Sequence, residues 1–143
     1  MKPGDLIRTF NFTQDFESVL ALWKTAGPGL HVRRSDEPEE ILNKLQRDPD
    51  LFLVAELDGK IIGSVMGGFD GRRGMVYHLA VESTHRKLGI GSSLMRELEQ
   101  RLKEKGCIRA YLLVTRDNTS AMHFYEEMGW ERMDIYPYGK DLA

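Results

Sequence analysis

One helix and the segments around it constrain this fold most. Ile90, Leu94, Leu98 and Leu102 recur every four residues, with Met95 beside them. That spacing lays a single apolar stripe along a long amphipathic helix. Before it, Met75 to Val81 is apolar and partly β-branched, and reads as a buried strand. After it, Ile108 to Val114 reads as a second strand, and Gly106 sits where a left-handed helix terminus belongs. Strand, long helix, then strand implies a crossover and a parallel pair.

The junction into that helix carries chemistry. Glu82 to His85 is polar and ends the strand; Arg86-Lys87-Leu88-Gly89-Ile90-Gly91 follows. Glycine at the mouth of a helix lets a ligand approach the backbone and permits dihedrals that other residues resist. The first turn also leaves several N–H groups without intrahelical partners, aimed at one spot. With Arg86 and Lys87 adding positive charge, the junction suits a phosphate or pyrophosphate. Taken alone, two glycines here are equally consistent with a tight turn that binds nothing.

Composition sets outer limits. A chain of 143 residues suits one domain, and 1-143 is expected to form a single one. The formal net charge of −2 argues against nucleic acid or an anionic membrane surface as partner. The lone cysteine, Cys107, has no intrachain disulfide partner and fits a reducing compartment. No apolar run approaches the ~20 residues that span a bilayer, and the N-terminus lacks a signal-peptide core. The expectation is a cytoplasmic protein. No His, Cys, Asp or Glu cluster has metal-ligand spacing, so no metal is expected.

The rest of the chain alternates helices and strands. Leu6 to Phe12 reads as a short strand. Asp15 is placed to cap a helix whose face is Phe16, Val19, Leu20 and Trp23, and Gly27-Pro28-Gly29 stops it. His31-Val32-Arg33-Arg34 reads as loop. Ser35 or Asp36 then caps a helix with Pro38 in its first turn and Ile41, Leu42 and Leu45 as its apolar side. Leu51 to Leu57 and Lys60 to Phe69 are strands joined by an Asp58-Gly59 hairpin turn. With Met75 to Val81 they form an antiparallel meander. Near the end, Asp117 or Asn118 caps a short helix with Ala121, Phe124, Tyr125 and Met128 on its apolar face; Gly129 closes it, and Trp130 to Tyr136 reads as a last strand.

Two stretches together resemble a known family. Leu79-Ala80-Val81 followed by Arg86-Lys87-Leu88-Gly89-Ile90-Gly91 looks like the acetyl-CoA motif of the GNAT superfamily of N-acetyltransferases. Asn118-Thr119-Ser120-Ala121-Met122-His123-Phe124-Tyr125-Glu126-Glu127-Met128-Gly129-Trp130 is similar to the family's later motif. The order of elements from Leu6 to Tyr136 matches as well. Lys87 stands where the family often has glycine.

The resemblance implies an α/β fold of mixed α+β character: a mixed, mostly antiparallel sheet splayed at its centre, with helices on both faces. It implies that acetyl-CoA is the co-substrate. Its pantetheine arm would pair like an added strand with the backbone of Leu79, Ala80 and Val81. The pyrophosphate would fall on the amides from Lys87 through Leu88, Gly89, Ile90 and Gly91 to Ser92, beside Arg86. Asn118 would hold the cofactor arm as well as cap its helix. Tyr125 would contact the cofactor and donate a proton to the departing CoA thiolate.

Acceptor residues are harder to read. The resemblance puts Tyr77 and Met75 on the substrate side. Strand alternation turns His78 to the opposite face, which makes it a packed or solvated histidine despite its suitable chemistry. Relatives carry a glutamate base at the places of Met75 or Leu113, and both are apolar here. His31 and Arg33 lie in the loop at the acceptor mouth, where Arg33 and Arg34 read either as a solvated charge pair, the more common outcome, or as a grip on an acceptor carboxylate. The resulting reading is acetyl transfer from acetyl-CoA to a primary amine of a small molecule or peptide, by direct attack in a ternary complex, with a homodimer left open. A CoA-binding sensor or regulatory module without chemistry is the alternative.

Overall fold

The computed structural model describes residues 2–26, 30 and 32–143. The Gly27-Pro28-Gly29 stop and His31 lie outside them. Its contacts fall into two compact units, residues 1–113 and 114–143.

The first unit holds a five-stranded sheet in the order β1-β2-β3-β4-β5. The strands are β1 (Ile7–Thr9), β2 (Phe52–Leu57), β3 (Lys60–Phe69), β4 (Arg73–Val81) and β5 (Arg109–Leu112). The first four run antiparallel to their neighbours, and β5 runs parallel to β4. Asp58 and Gly59 take φ of 51° and 80°, the left-handed pair that a two-residue hairpin needs. Helices α1 (Phe12–Thr25) and α2 (Pro38–Arg47) pack on one face, and α3 (Ile90–Glu104) packs on the other. The mixed α/β architecture and the parallel crossover are those expected.

Helix α3 buries Ile90, Leu94, Met95, Leu98 and Leu102, the predicted stripe. At ~1.5–3 kcal/mol per buried large side chain, this stripe is a principal anchor of the sheet. Glycine makes the close approach of α3 feasible: a Cβ at Gly67 would stand 2.6 Å from Leu98 Cδ1. On the other face Phe10 stacks on Phe52 at 3.9 Å, and Trp23 stacks on Phe52 at 5.9 Å. The indole N–H of Trp23 is satisfied by Ser64 Oγ at 3.0 Å.

Two cap assignments need correction. The cap of α1 is Asn11, whose side chain accepts from the Gln14 N–H. Asp15 is buried one turn in, because Arg8 reaches it from β1. Helix α2 starts after Glu37 with Pro38 at its first position; Ser35 and Asp36 belong to a 3₁₀ turn before it. Leu42 is exposed on α2, whereas Ile41 is buried.

The second unit contains α4 (Thr119–Glu127), closed by Gly129 at φ 92°. The expected strand over Trp130 to Tyr136 is absent among the described residues. Its apolar members Trp130, Met133 and Ile135 do not hold a period of two, and charged Glu131, Arg132 and Asp134 fall between them.

Candidate functional site

The sheet opens where β4 and β5 part. Their pairing runs only from Arg73↔Arg109 to Val76↔Leu112. From Tyr77 to Val81, β4 has β3 on one side and no ladder partner on the other among the described residues. The predicted splay is therefore present, between the fourth and fifth strands. Its exposed edge is a row of backbone donors and acceptors suited to an amide-bearing ligand. Ala80 presents backbone only, since its side chain is in the core with Trp23 and Met66.

A bulge sits at the start of that open edge. Ser64 pairs with Ala80 and Met66 with Tyr77, so Val65 alone opposes His78 and Leu79. His78 takes φ 49°, left-handed backbone that a β-bulge imposes. The extra residue breaks the alternation on which the sequence reading placed Tyr77 and His78 on opposite faces. Both lie on the face of α1 and α2. A Cβ at Gly68 would be 3.5 Å from Tyr77 Cε2 and 3.3 Å from Lys44 Nζ of α2. His78 meets Trp23 of α1 edge-on, with ring centroids 4.7 Å apart. Burial, helped by the nearby Asp48 carboxylate, pushes the Tyr77 phenol above its ordinary value.

His78 also has a carboxylate partner. Nε2 stands 2.9 Å from both oxygens of Asp36, whose side chain is 4% exposed. Asp36 Oδ2 accepts the Arg33 backbone N–H as well, at 3.0 Å. Sequence reasoning offers Ser35 or Asp36 as a helix cap. Nothing in the sequence links it to a histidine 42 residues on.

Beyond Val81 the chain turns into α3. Lys87 and Gly89 take φ of 67° and 84°. The first helical bond runs from the Ser93 N–H to the Gly89 carbonyl at 3.0 Å, and among the described residues no side chain caps the helix. The amides of Ile90, Gly91 and Ser92 precede that bond and have no intrahelical acceptor. Leu88 and Gly89 are exposed, whereas the Ile90 side chain is buried and offers only its N–H. Arg86 is engaged by backbone: Nε donates to the Val81 carbonyl at 3.2 Å, and Nη2 donates to the carbonyl of Ala26. It braces the strand-to-loop turn against the end of α1.

In the second unit Asn118 caps α4, with Oδ1 accepting from the Ala121 N–H at 3.2 Å. Tyr125 packs between Phe124 and Trp130, at 5.2 and 6.3 Å between centroids. Burial pushes its phenol up to about 12, so it stays protonated through the neutral range. Among the described residues no cluster is fit to hold a metal ion, and no helix is long and apolar enough to cross a membrane.

Comparison with known proteins decides the family. The sequence model of the acetyltransferase (GNAT) family matches residues 16–130. This chain belongs to the GNAT acetyltransferases. A relative, acetyltransferase ECA0875 of Pectobacterium atrosepticum, is 43% identical over 137 residues, covering 95% of this chain and 94% of the relative. Ard1 from Thermoplasma volcanium has a similar fold, with a TM-score of 0.74, 26% identity, and 86% and 80% of the two chains covered. PaiA N-acetyltransferase of Thermoplasma acidophilum, solved with coenzyme A, gives a TM-score of 0.79 at 23% identity, with 91% of each chain covered. At that identity the last likeness speaks to the GNAT fold alone.

Proposed function

We propose that this acetyltransferase moves acetyl from acetyl-CoA to a primary amine, by direct attack within a ternary complex. One observation carries the reading: the unpaired edge of β4 from Tyr77 to Val81 leads, within one loop, to the uncapped start of α3. An amide-bearing arm on the edge of Leu79, Ala80 and Val81 would deliver a pyrophosphate to the amides from Lys87 to Ser92. Lys87 adds its charge there; Arg86 contributes by holding the turn in shape.

Each role follows from ordinary chemistry. A backbone N–H near Val81 stabilises the tetrahedral oxyanion. Binding both reactants in register lowers the entropic part of the barrier. Asn118 orders the start of α4 and holds the cofactor arm. Tyr125 donates a hydrogen bond to sulfur as negative charge builds. Its phenol, pushed up to about 12, is a weaker acid than a thiol of about 8.5. The thiolate therefore leaves as such and takes its proton from solvent. Tyr77 and Arg33 line the acceptor side, and His31 belongs to the same assignment from sequence.

Apolar residues at Met75 and Leu113 favour a second reading, a CoA-binding module without chemistry. Calorimetry with acetyl-CoA, followed by thiol release with an alanyl peptide, neamine, spermidine and glutamate, tests both. Binding with turnover supports transfer; binding without turnover supports the module.

A further inference from the structure

We propose that Asp36 and His78 form the proton-accepting pair of the transfer reaction, with His78 as the catalytic base and Asp36 as its positioning residue; the proposal rests on the acetyl-transfer reading above.

Three observations support it. First, the bulge brings His78 onto the face of α1 and α2 within the unpaired segment of β4, beside Tyr77. Second, Asp36 is almost wholly buried, and its described partners are the imidazole at 2.9 Å and the Arg33 N–H at 3.0 Å. A buried carboxylate is costly unless paired, and an ionised one only accepts hydrogen bonds. Nε2 of a neutral imidazole must then carry the hydrogen, which leaves the lone pair on Nδ1. Third, the His78 side chain remains 22% exposed, so a proton taken up has a route to solvent.

Charged and titratable groups on this face include Asp36 and Arg33 before α2, the neighbouring Tyr77, Lys44 of α2 and Asp48 at its C-terminal cap. The step balances. An alkylammonium gives one proton to Nδ1 and becomes a neutral amine. Nitrogen forms its bond to the thioester carbon, the C–S bond breaks, and the electron pair leaves on sulfur. The second nitrogen proton and the imidazolium proton pass to solvent.

His78→Gln tests the idea, because its amide N–H still donates to Asp36. The acceptors are hydroxylamine, already neutral near pH 7, and the fastest of the alanyl peptide, neamine, spermidine and glutamate. Acetyl-CoA affinity and circular dichroism report the fold. The variant should lose about 10²–10⁴-fold in kcat with the ammonium acceptor. With hydroxylamine it should stay within about tenfold of wild type, since that acceptor needs no prior deprotonation. Asp36→Asn should weaken both the discrimination between acceptors and the Nε2–H tautomer seen by ¹⁵N NMR of the ring. Equal loss on both acceptors, or no loss on either, overturns the pair as base and leaves acetyl transfer standing. A wild type that acetylates none of these acceptors overturns the transfer reading and the pair with it.

Discussion

Arg8 grips Asp15 as a fork, with Nη1 2.7 Å from Oδ2 and Nη2 2.9 Å from Oδ1. The same guanidinium reaches Glu56 of β2 through Nε and Nη2 at 2.9 and 2.6 Å. One arginine thus ties β1, the first turn of α1 and β2 together. Burial pushes the Asp15 carboxyl up, but the Arg8 hydrogen bonds, the Asn11 N–H and the Arg8 charge outweigh it and hold it below its usual value.

That pair gives a stability prediction with a defined sign. A carboxyl depressed in the folded state contributes fully above its unfolded value of about 3.9 and loses that contribution as pH falls through the folded value. Arg8→Ala should cost about 2–3 kcal/mol at pH 7, less than for a fully buried pair because Arg8 is 35% exposed. Urea unfolding at pH 7 and at pH 2.5 should show that deficit shrinking in acid. A deficit unchanged by acid would contradict the ion-pair account.

Lys87 occupies left-handed backbone at φ 67°. A side chain there costs about 1–2 kcal/mol, and glycine's extra freedom when unfolded recovers part of that cost. Lys87→Gly should therefore stabilise the protein by about 0.5–1 kcal/mol, read as a higher Tm. An unchanged or lower Tm would show the loop to be unstrained.

Gly91→Glu tests the phosphate site without endangering the helix. A carboxylate in the first turn suits the helix dipole, so Tm should hold or rise. Acetyl-CoA affinity should fall at least tenfold through repulsion of the pyrophosphate. Unchanged affinity in calorimetry would move the pyrophosphate elsewhere.

Tyr125→Phe removes the proposed hydrogen bond to sulfur while keeping the ring between Phe124 and Trp130. We expect kcat to drop about 10²–10³-fold, as for loss of one preorganised donor, with little change in acetyl-CoA affinity. A full-rate variant would leave Tyr125 as a packing residue.

Arg33 is exposed beside the Asp36 turn, and its backbone rather than its side chain serves that turn. If its guanidinium holds an acceptor carboxylate, Arg33→Ala raises KM for glutamate and leaves the KM of acetyl-CoA nearly unchanged. Faster turnover of spermidine than of glutamate by the wild type would end that assignment.

The parts legible in the sequence were those governed by local periodicity. Ile90, Leu94, Met95, Leu98 and Leu102 declared α3, Asp58-Gly59 declared the hairpin, and the Asp117-Asn118 pair declared the start of α4, where Asn118 is the cap. The parts that were not legible depend on partners far along the chain. The bulge at His78 exists only relative to Val65 on β3. Asp15 and Asp36 look like caps until Arg8 and His78 arrive beside them. Arg86 donates to the carbonyls of Val81 and of Ala26, and the second of these lies 60 residues back along the chain. Trp130 to Tyr136 looks like a strand only if a ladder partner is assumed.

A crystal structure with CoA bound tests the central claim most directly. The account predicts pantetheine amides paired with the backbone of Leu79, Ala80 and Val81, and the pyrophosphate on the amides between Lys87 and Ser92. A cofactor bound away from the β4 edge, or a pyrophosphate not contacting the start of α3, would contradict it.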